Sequence, residues 1–558
     1  MRTMTERLDD LPRGRIAYDG TPTPVKTALF LVICATWLLP GLVGHDPWKV
    51  DEATTFGVVT QMLHSADWIA FSIAGEPFPG HAPLYYWAAA IDVKLFGWLF
   101  APHDAARLTS AFFMAATFGL VAAAARELMD ERAMRASVLL LLGCVGLLAR
   151  AHEMVPDLSG VTGLALALYG LAVADRRPLL GGVVTGLGAG VAFLGAGYLP
   201  AAMLVTLLAL LPLASAFWRT RRYAATLGLA VVAATPLVAG WLLALWYSSP
   251  ALLHDWLAHG ATTRWMNPLG GDAGALDLLF FLRILPWYAW PAWPLAAWTL
   301  WRSRRTLAAR RHLLLPLVAF ASFLLMLSAF GDPRDINAIA LLMPLAILGV
   351  KELDSMPRGA AGALDWFGMT TFFLFAAVIW LAWFAALTGR PDFAADMIRR
   401  EVPNFQYRFN FLAVAFAALL TLLWWAVVVR SLRSTRRALV NWAAGITMVW
   451  MLAMTLGVPL IDQARSYRTL AARVVQNLPA GGGCVARSNV GDAQRALLDY
   501  FVGLRTVALE SPAAAGCRTL LVQAVPARTA TVPPGWREAW RGSRPADRNE
   551  LFILYRRD

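Results

Sequence analysis

An acidic pair, Asp51-Glu52, stands a few residues beyond the first long apolar run of the chain. Adjacent carboxylates point to different faces of a helix or strand. A carboxylate at a membrane surface can act as a general base or bind a polar acceptor. It can equally cap a helix, and Asp51 before Ala-Thr-Thr-Phe is well placed to do so. Further polar elements follow: Asp67-Trp68, Glu76-Pro77 and His81-Ala82-Pro83-Leu84-Tyr85-Tyr86-Trp87. His81 can bind a phosphate or a metal. Glu76 and His81 are the only residues here to nominate for a divalent ion, and two ligands fall short of a complete site. The stretch Arg150-Ala-His-Glu-Met-Val-Pro-Asp157 sets Arg150, His152, Glu153 and Asp157 close together, more than capping by Asp157 alone needs.

Cationic candidates come later in the chain. Arg264 is the lone arginine of 247–276, beside Trp265 and among His254, Asp255 and His259. A solitary guanidinium can hold a phosphate with two hydrogen bonds or anchor to lipid head groups by snorkelling. In Gly331-Asp-Pro-Arg-Asp335, Arg334 is flanked by two acids. The stretch 388–408 carries Arg390, Arg399, Arg400 and Arg408, which suits an anionic ligand.

These residues need elements to hold them, and composition says what kind. Of 558 residues, 58% are hydrophobic and 15% charged, with a mean hydropathy of +0.55. Soluble chains are closer to a quarter charged. A soluble cytosolic enzyme and a disordered chain are both excluded. The net charge is 49 − 36 = +13, nearly all from arginine, as the lysines are only Lys26, Lys49, Lys94 and Lys351. In a membrane protein such an excess reflects cytoplasmic loops and anionic lipids; no nucleic-acid partner is expected. The 24 Trp suit an interfacial belt.

Residues 1–26 are polar and basic, a cytoplasmic N-terminus before an uncleaved signal anchor. The apolar runs predict about thirteen membrane helices of about 20 residues each. They fall near 27–44, 106–126, 134–149, 158–174, 179–196, 199–217, 223–246, 277–301, 313–330, 336–350, 364–387, 409–430 and 439–460. The segment 83–101 carries Asp92 and Lys94 in mid-run. Counting it as a crossing would place the arginine clusters at 126–135, 176–177, 219–222, 302–311 and 430–437 outside. The positive-inside rule therefore makes it interfacial or re-entrant. The membrane domain is then 27–460, with outer loops at 45–105, 150–157, 247–276, 331–335 and 388–408. Residues 461–558 form a soluble outer domain, alternating helical (DAQRALLDYFVGL) and strand-like (CVARSNV, TLLVQAV, LFILYRR) runs. Cys484 and Cys517 lie in this domain and either pair in an oxidising compartment or stay as buried thiols. Cys34 and Cys144 lie in membrane helices as packing residues.

Asp51-Glu52, Asp67-Trp68, the His-x-Pro-Leu-x-Tyr-Trp element at 81–87 and Asp157 together resemble the protein O-mannosyltransferase-like glycosyltransferases of the GT-C fold. The count of helices and the outer α/β domain are similar to one branch, the bacterial transferases that add 4-amino-4-deoxy-L-arabinose to lipid A. The resemblance covers most of the chain in layout, and its specific motifs lie between Asp51 and Asp157. It implies a polytopic α-helical membrane protein with a C-terminal α/β periplasmic domain, in the bacterial inner membrane and expected to be monomeric. It implies a sugar transferred with inversion from undecaprenyl phosphate to lipid A, or another sugar or a protein hydroxyl acceptor. On that reading Asp51 is the main catalytic carboxylate, Glu52 supports it and Asp157 completes the acidic site. Arg264 matches the position that holds the carrier phosphate. Tyr85, Tyr86 and His152 are candidates for acceptor or sugar contacts. The chain departs from the branch at His81-Ala82-Pro83, where Glu-Lys-Pro is expected, and at 331–337, where a lysine-rich, tyrosine-containing element is expected. His81 or Arg334 then stands in for the missing lysine. No cofactor is required, and a divalent metal stays open.

A lipid or sugar transporter is the reading from another class. Transporters carry ionisable residues near mid-helix. Here acids and histidines gather at the outer ends, with Arg283 the main exception. A structural scaffold does not account for the acid-rich outer loops.

Overall fold

The structure is a computed structural model. It describes residues 23–48, 50–258, 278–403, 405–430, 435–479, 483–524, 534–544, 546–547 and 550–557. Among these, 7 helices are long and apolar enough to cross a membrane: Pro102–Leu128, Pro178–Ala196, Arg221–Ser248, Arg311–Phe330, Arg358–Thr388, Phe411–Arg430 and the run Arg436–Gln476. Shorter apolar helices lie at Thr27–Leu38, Asp157–Val173, Tyr198–Ala214 and Asp335–Gly349. The two remaining expected spans are broken. The run at 134–149 divides into Glu131–Leu142 and Leu147–Arg150 around Gly143, whose added Cβ would lie 2.9 Å from Trp442. The run at 277–301 divides into Phe280–Tyr288 and Ala292–Ser303 at Pro291. A run of apolar residues reports length but not a break within it.

Local chemistry sets the helix ends. Asp130 caps Glu131–Leu142 by accepting from the amides of Arg132 and Ala133, both at 2.8 Å. Pro178 opens helix Pro178–Ala196 at its first turn. Helices Asp157–Val173 and Pro178–Ala196 pack through glycines: a Cβ on Gly163 would stand 2.2 Å from the Ala192 backbone nitrogen. Small residues at such contacts let membrane helices approach backbone to backbone. Helices Arg358–Thr388 and Phe411–Arg430 stay largely exposed, with Phe373, Leu374, Leu422 and Leu423 facing outward, as a lipid-facing surface requires.

The ambiguous segment at 83–101 is a helix, Leu84–Phe96, of 13 residues. At about 1.5 Å per residue it falls well short of the roughly 30 Å hydrocarbon core. Its two charges have partners beside the membrane domain. Asp92 accepts from Thr109 at 2.5 Å, and Lys94 lies over the Trp68 ring at 4.8 Å.

The C-terminal domain is a five-stranded mixed sheet with Val485–Ser488 and Thr519–Ala524 at its centre. Val507–Ala508 pairs in parallel with Val485–Ser488 on one side. Leu551–Arg556 and then Arg537–Gly542 add antiparallel on the other. Cys484 and Cys517 are joined by a disulfide, with Cα atoms 4.8 Å apart. This domain sits on the first loop. Helix Asp492–Val502 packs against helix Asp51–Ser65 so closely that a Cβ on Gly57 would lie 2.4 Å from the Ala496 Cβ. Glu76 receives Arg487 and Arg495 of the same domain, at 2.6 and 2.9 Å.

Candidate active site

Asp51 is the first residue of helix Asp51–Ser65. The position before it is Val50, without a side-chain cap. Asp157 likewise opens its helix behind Pro156 and caps nothing. Neither carboxylate is used in the capping role that its sequence position allows. Asp51 instead accepts from Arg334 Nη2 at 2.5 Å and lies 3.8 Å from Arg150 Nη1.

Arg150 ties three segments together. Its guanidinium donates to both Asp335 oxygens at 2.8 and 3.1 Å and to Glu153 Oε2 at 2.7 Å. The second loop therefore holds the 331–335 loop, and through it the Arg334 that meets Asp51. Burial pushes the Glu153 carboxyl up to about 7, against the pull of Arg150 and with a further push from Glu52 and Asp51.

Glu52 turns the other way, as a neighbour on a helix must. It is buried and accepts from Arg107 Nε at 2.8 Å, the Trp48 amide at 3.0 Å and the Met154 amide at 3.2 Å. Burial opposes its charge, but Arg107, His45 and the Trp48 amide hold its carboxyl below the usual range. Arg107 is itself fully buried and also donates to Asp104 at 2.8 Å and to the Leu42 carbonyl at 2.9 Å. Glu52 thus fixes the start of the helix that presents Asp51 and stands away from the reacting space.

That space is a cavity of about 320 Å³ lined by His81, Asp157, Trp256, Asp332, Arg334 and Asn337. Asp157 Oδ2 is buried there without a hydrogen-bond partner among the described residues. Asp157, His81 and Arg334 therefore meet at one place, with Asp51 joined to it through Arg334. Arg264 lies outside the described residues.

Several expected site residues lie elsewhere. Glu76 is held by the two arginines of the C-terminal domain, which lower its carboxyl chiefly through the hydrogen bond from Arg487. A carboxylate neutralised by two guanidiniums is a poor metal ligand, so its pairing with His81 around a metal is corrected. Among the described residues no group of three or more His, Cys, Asp or Glu could hold a metal ion. His152 is buried between Trp37 and Trp450, with ring nitrogens 2.7 Å from the carbonyls of Leu148 and Trp37, and burial drives its imidazole down to about 4. Tyr85 is buried and hydrogen-bonded to Ser110 at 2.6 Å, and Tyr86 is buried against Phe71. None of the three lines the cavity, although Tyr86 lies close to Asp157 and Asp51 and its buried hydroxyl has no hydrogen-bond partner among the described residues. Arg107, Arg150, Glu153 and Asp335 carry the arrangement and were not singled out as site residues. Their partners lie as far as 185 positions away in the chain.

A helical membrane domain with an acid-and-arginine cavity, followed by a C-terminal α/β domain, is the layout of a GT-C type fold. Residues 80–239 match the family of dolichyl-phosphate-mannose-protein mannosyltransferases. The chain is similar to the undecaprenyl phosphate-alpha-4-amino-4-deoxy-L-arabinose arabinosyl transferase of Pseudomonas savastanoi pv. phaseolicola, 30% identical over 230 residues, 40% of this chain and 42% of that one. It is 29% identical over 344 residues to such a transferase of Pseudomonas fluorescens, covering 57% of this chain and 56% of the relative. The chain thus spans about half the length of the curated relatives it matches. The crystal structure of ArnT from Cupriavidus metallidurans bound to undecaprenyl phosphate superimposes with a TM-score of 0.69, covering 96% of this chain and 98% of that one at 17% identity. The chain therefore has the fold of ArnT and is similar in sequence, over about half its length, to aminoarabinose transferases, in line with the resemblance read from its motifs.

Proposed function

We propose that the chain is an inverting glycosyltransferase that moves 4-amino-4-deoxy-L-arabinose from undecaprenyl phosphate to a lipid A phosphate at the periplasmic face of the inner membrane. The observation that carries this reading is the meeting of Asp157, His81 and Arg334 at one cavity, with Asp51 paired to Arg334. The activity for which the relatives are named and the ArnT fold support the choice of donor.

In the transfer, an acceptor oxygen attacks the anomeric carbon and the bond from that carbon to the carrier phosphate breaks. The polyprenyl phosphate departs as an anion. Arg334 carries several donors and can serve Asp51 and the phosphate together. Arg264 is proposed as a second phosphate ligand. Stabilising the leaving charge and positioning the two lipids do most of the work, because a lipid phosphate is already a good leaving group. A phosphate acceptor is anionic near neutral pH and needs no base. Asp51 and Asp157 then pair with the ammonium of the amino sugar. With a hydroxyl acceptor, Asp51 takes the proton as general base. A different sugar, or a protein hydroxyl as acceptor, is the second reading. It rests on the mannosyltransferase match and on the absence here of the expected lysine at position 82.

The test is mass spectrometry of lipid A from a polymyxin-sensitive Gram-negative host that makes the aminoarabinose donor and lacks its own transferase. Expression of the chain should add one aminopentose, and Asp51→Ala should abolish the addition while leaving membrane insertion intact. An unmodified lipid A with the wild-type chain would remove this donor–acceptor pair and turn the search to glycoproteins. Full transfer by Asp51→Ala would remove Asp51 from the site.

A further inference from the structure

A transfer between two lipids needs two places where a lipid can reach the protein from the side. The cavity beside Asp157 is one. A second and larger hollow, of about 650 Å³, lies where the stretch Gln406–Ala413 meets Thr455 and Pro459, and the two share no lining residue. The geometry points to this hollow as the docking site for the phosphorylated head of the lipid acceptor, with Arg408 as its phosphate ligand. The inference rests on the proposed reaction.

Three features carry it. The first is charge. Arg408 lines the hollow and is exposed, and among the described residues no carboxylate is paired with it. Arg390 and Arg400 are exposed on the segment just before it, whereas Arg399 is held by Asp396 at 2.6 Å. These arginines lie on 388–408, read from the sequence as an outer loop, whereas the other arginine clusters follow the positive-inside rule. The second is the apolar rim. Phe409, Phe411 and Leu412 are 57%, 69% and 77% exposed. The preceding helix Asp392–Glu401 exposes Phe393 and Met397 one turn apart while burying Ala394 and Ala395. A short helix with an exposed apolar edge and nearby arginines lies in the plane of a bilayer surface. A phosphate ligand set among exposed aromatics suits a molecule with a charged head and acyl chains. The third is the backbone. Thr455 brings to the hollow a π-helical turn, Ala453–Gly457, an irregularity frequent at functional sites, and the Leu456 carbonyl accepts from Tyr407 at 3.1 Å. From that turn, helix Val458–Arg465 runs directly to Asp462. Asp462 accepts from the Asp46 amide and from Trp48 Nε1, both at 3.0 Å, just ahead of Asp51. The hollow and the catalytic loop are therefore joined by one short, continuous helix.

The test uses the purified full-length chain in detergent, without donor. Binding is measured for bis-phosphorylated lipid A, for the same lipid A after phosphatase treatment, and for phosphatidylglycerol. The phosphorylated lipid A should bind on the order of tenfold tighter than either of the others, and Arg408→Gln should abolish that preference. Arg408→Lys should keep part of it, which separates loss of charge from misfolding. Equal binding of phosphatidylglycerol would mean a general anionic-lipid contact and would overturn the site, as would an Arg408→Gln chain with its preference intact. Selective, Arg408-dependent binding by a wild-type chain that transfers no sugar would leave the site standing and remove the proposed reaction.

Discussion

At the scale of single residues, the candidate site is arranged around two carboxylates that face opposite ways. Asp51 was legible because its neighbourhood is short-range: an acid beside an apolar run, with an aromatic-rich loop behind it. The inward turn of Glu52 was not, because its partner Arg107 is 55 positions away. Arg107 sits at the edge of an apolar run, where an arginine is expected to anchor at the interface. Removing it would leave Glu52 buried and unpaired. Arg107→Met is expected to cost roughly 3–5 kcal/mol, read as a large fall in thermal stability of the detergent-purified protein. A chain of unchanged stability would show that Glu52 finds other donors. Glu153 gives a pH dependence with a definite sign. Its carboxyl is raised to about 7 in the folded chain, above the ordinary glutamate value. Its contribution to stability is thus complete below that ordinary value and is lost as pH rises through about 7. Glu153→Gln has no charge to acquire. The melting temperature of the wild type should fall relative to that variant between about pH 5 and pH 8, and a constant difference would refute the assignment.

At the scale of elements, the strands Val485–Ser488, Thr519–Ala524 and Leu551–Arg556 and the helix Asp492–Val502 coincide with the runs that their sequences suggest. Alternation and β-branched content made them visible. Strand Arg537–Gly542 did not stand out, because it is an edge strand rich in charge (REAWRG) whose pairing is supplied by Leu551–Arg556. Breaks inside apolar runs were also hidden, since they come from contacts such as that of Gly143 with Trp442 and from Pro291. One contact between elements offers a reciprocal test. Gly57→Ala would push its new methyl into Ala496 and should destabilise the docking of the two helices by about 1–3 kcal/mol. Adding Ala496→Gly should restore most of the loss, because it removes the atom that is struck. Failure of the second change to rescue the first, in thermal unfolding or in protease resistance of the C-terminal domain, would mean that the helices are held chiefly elsewhere.

At the scale of the whole molecule, composition alone excluded soluble classes, and the layout pointed to the GT-C fold that the superposition on ArnT shows. What stayed hidden was how far the last domain reaches into the first loop. Asp46 is bonded by Ser466 and Arg468, and Glu76 by Arg487 and Arg495. These links join positions more than 400 residues apart. They carry a consequence for biosynthesis. A ribosome delivers the loop bearing Asp51 early and the guanidiniums that clamp Glu76 only about 400 residues later. The loop must wait, inserted but unbraced, through the synthesis of nearly all the membrane domain. A nascent chain stalled before Arg487 would hold its acids and its cavity arginine yet lack the guanidiniums that clamp Glu76.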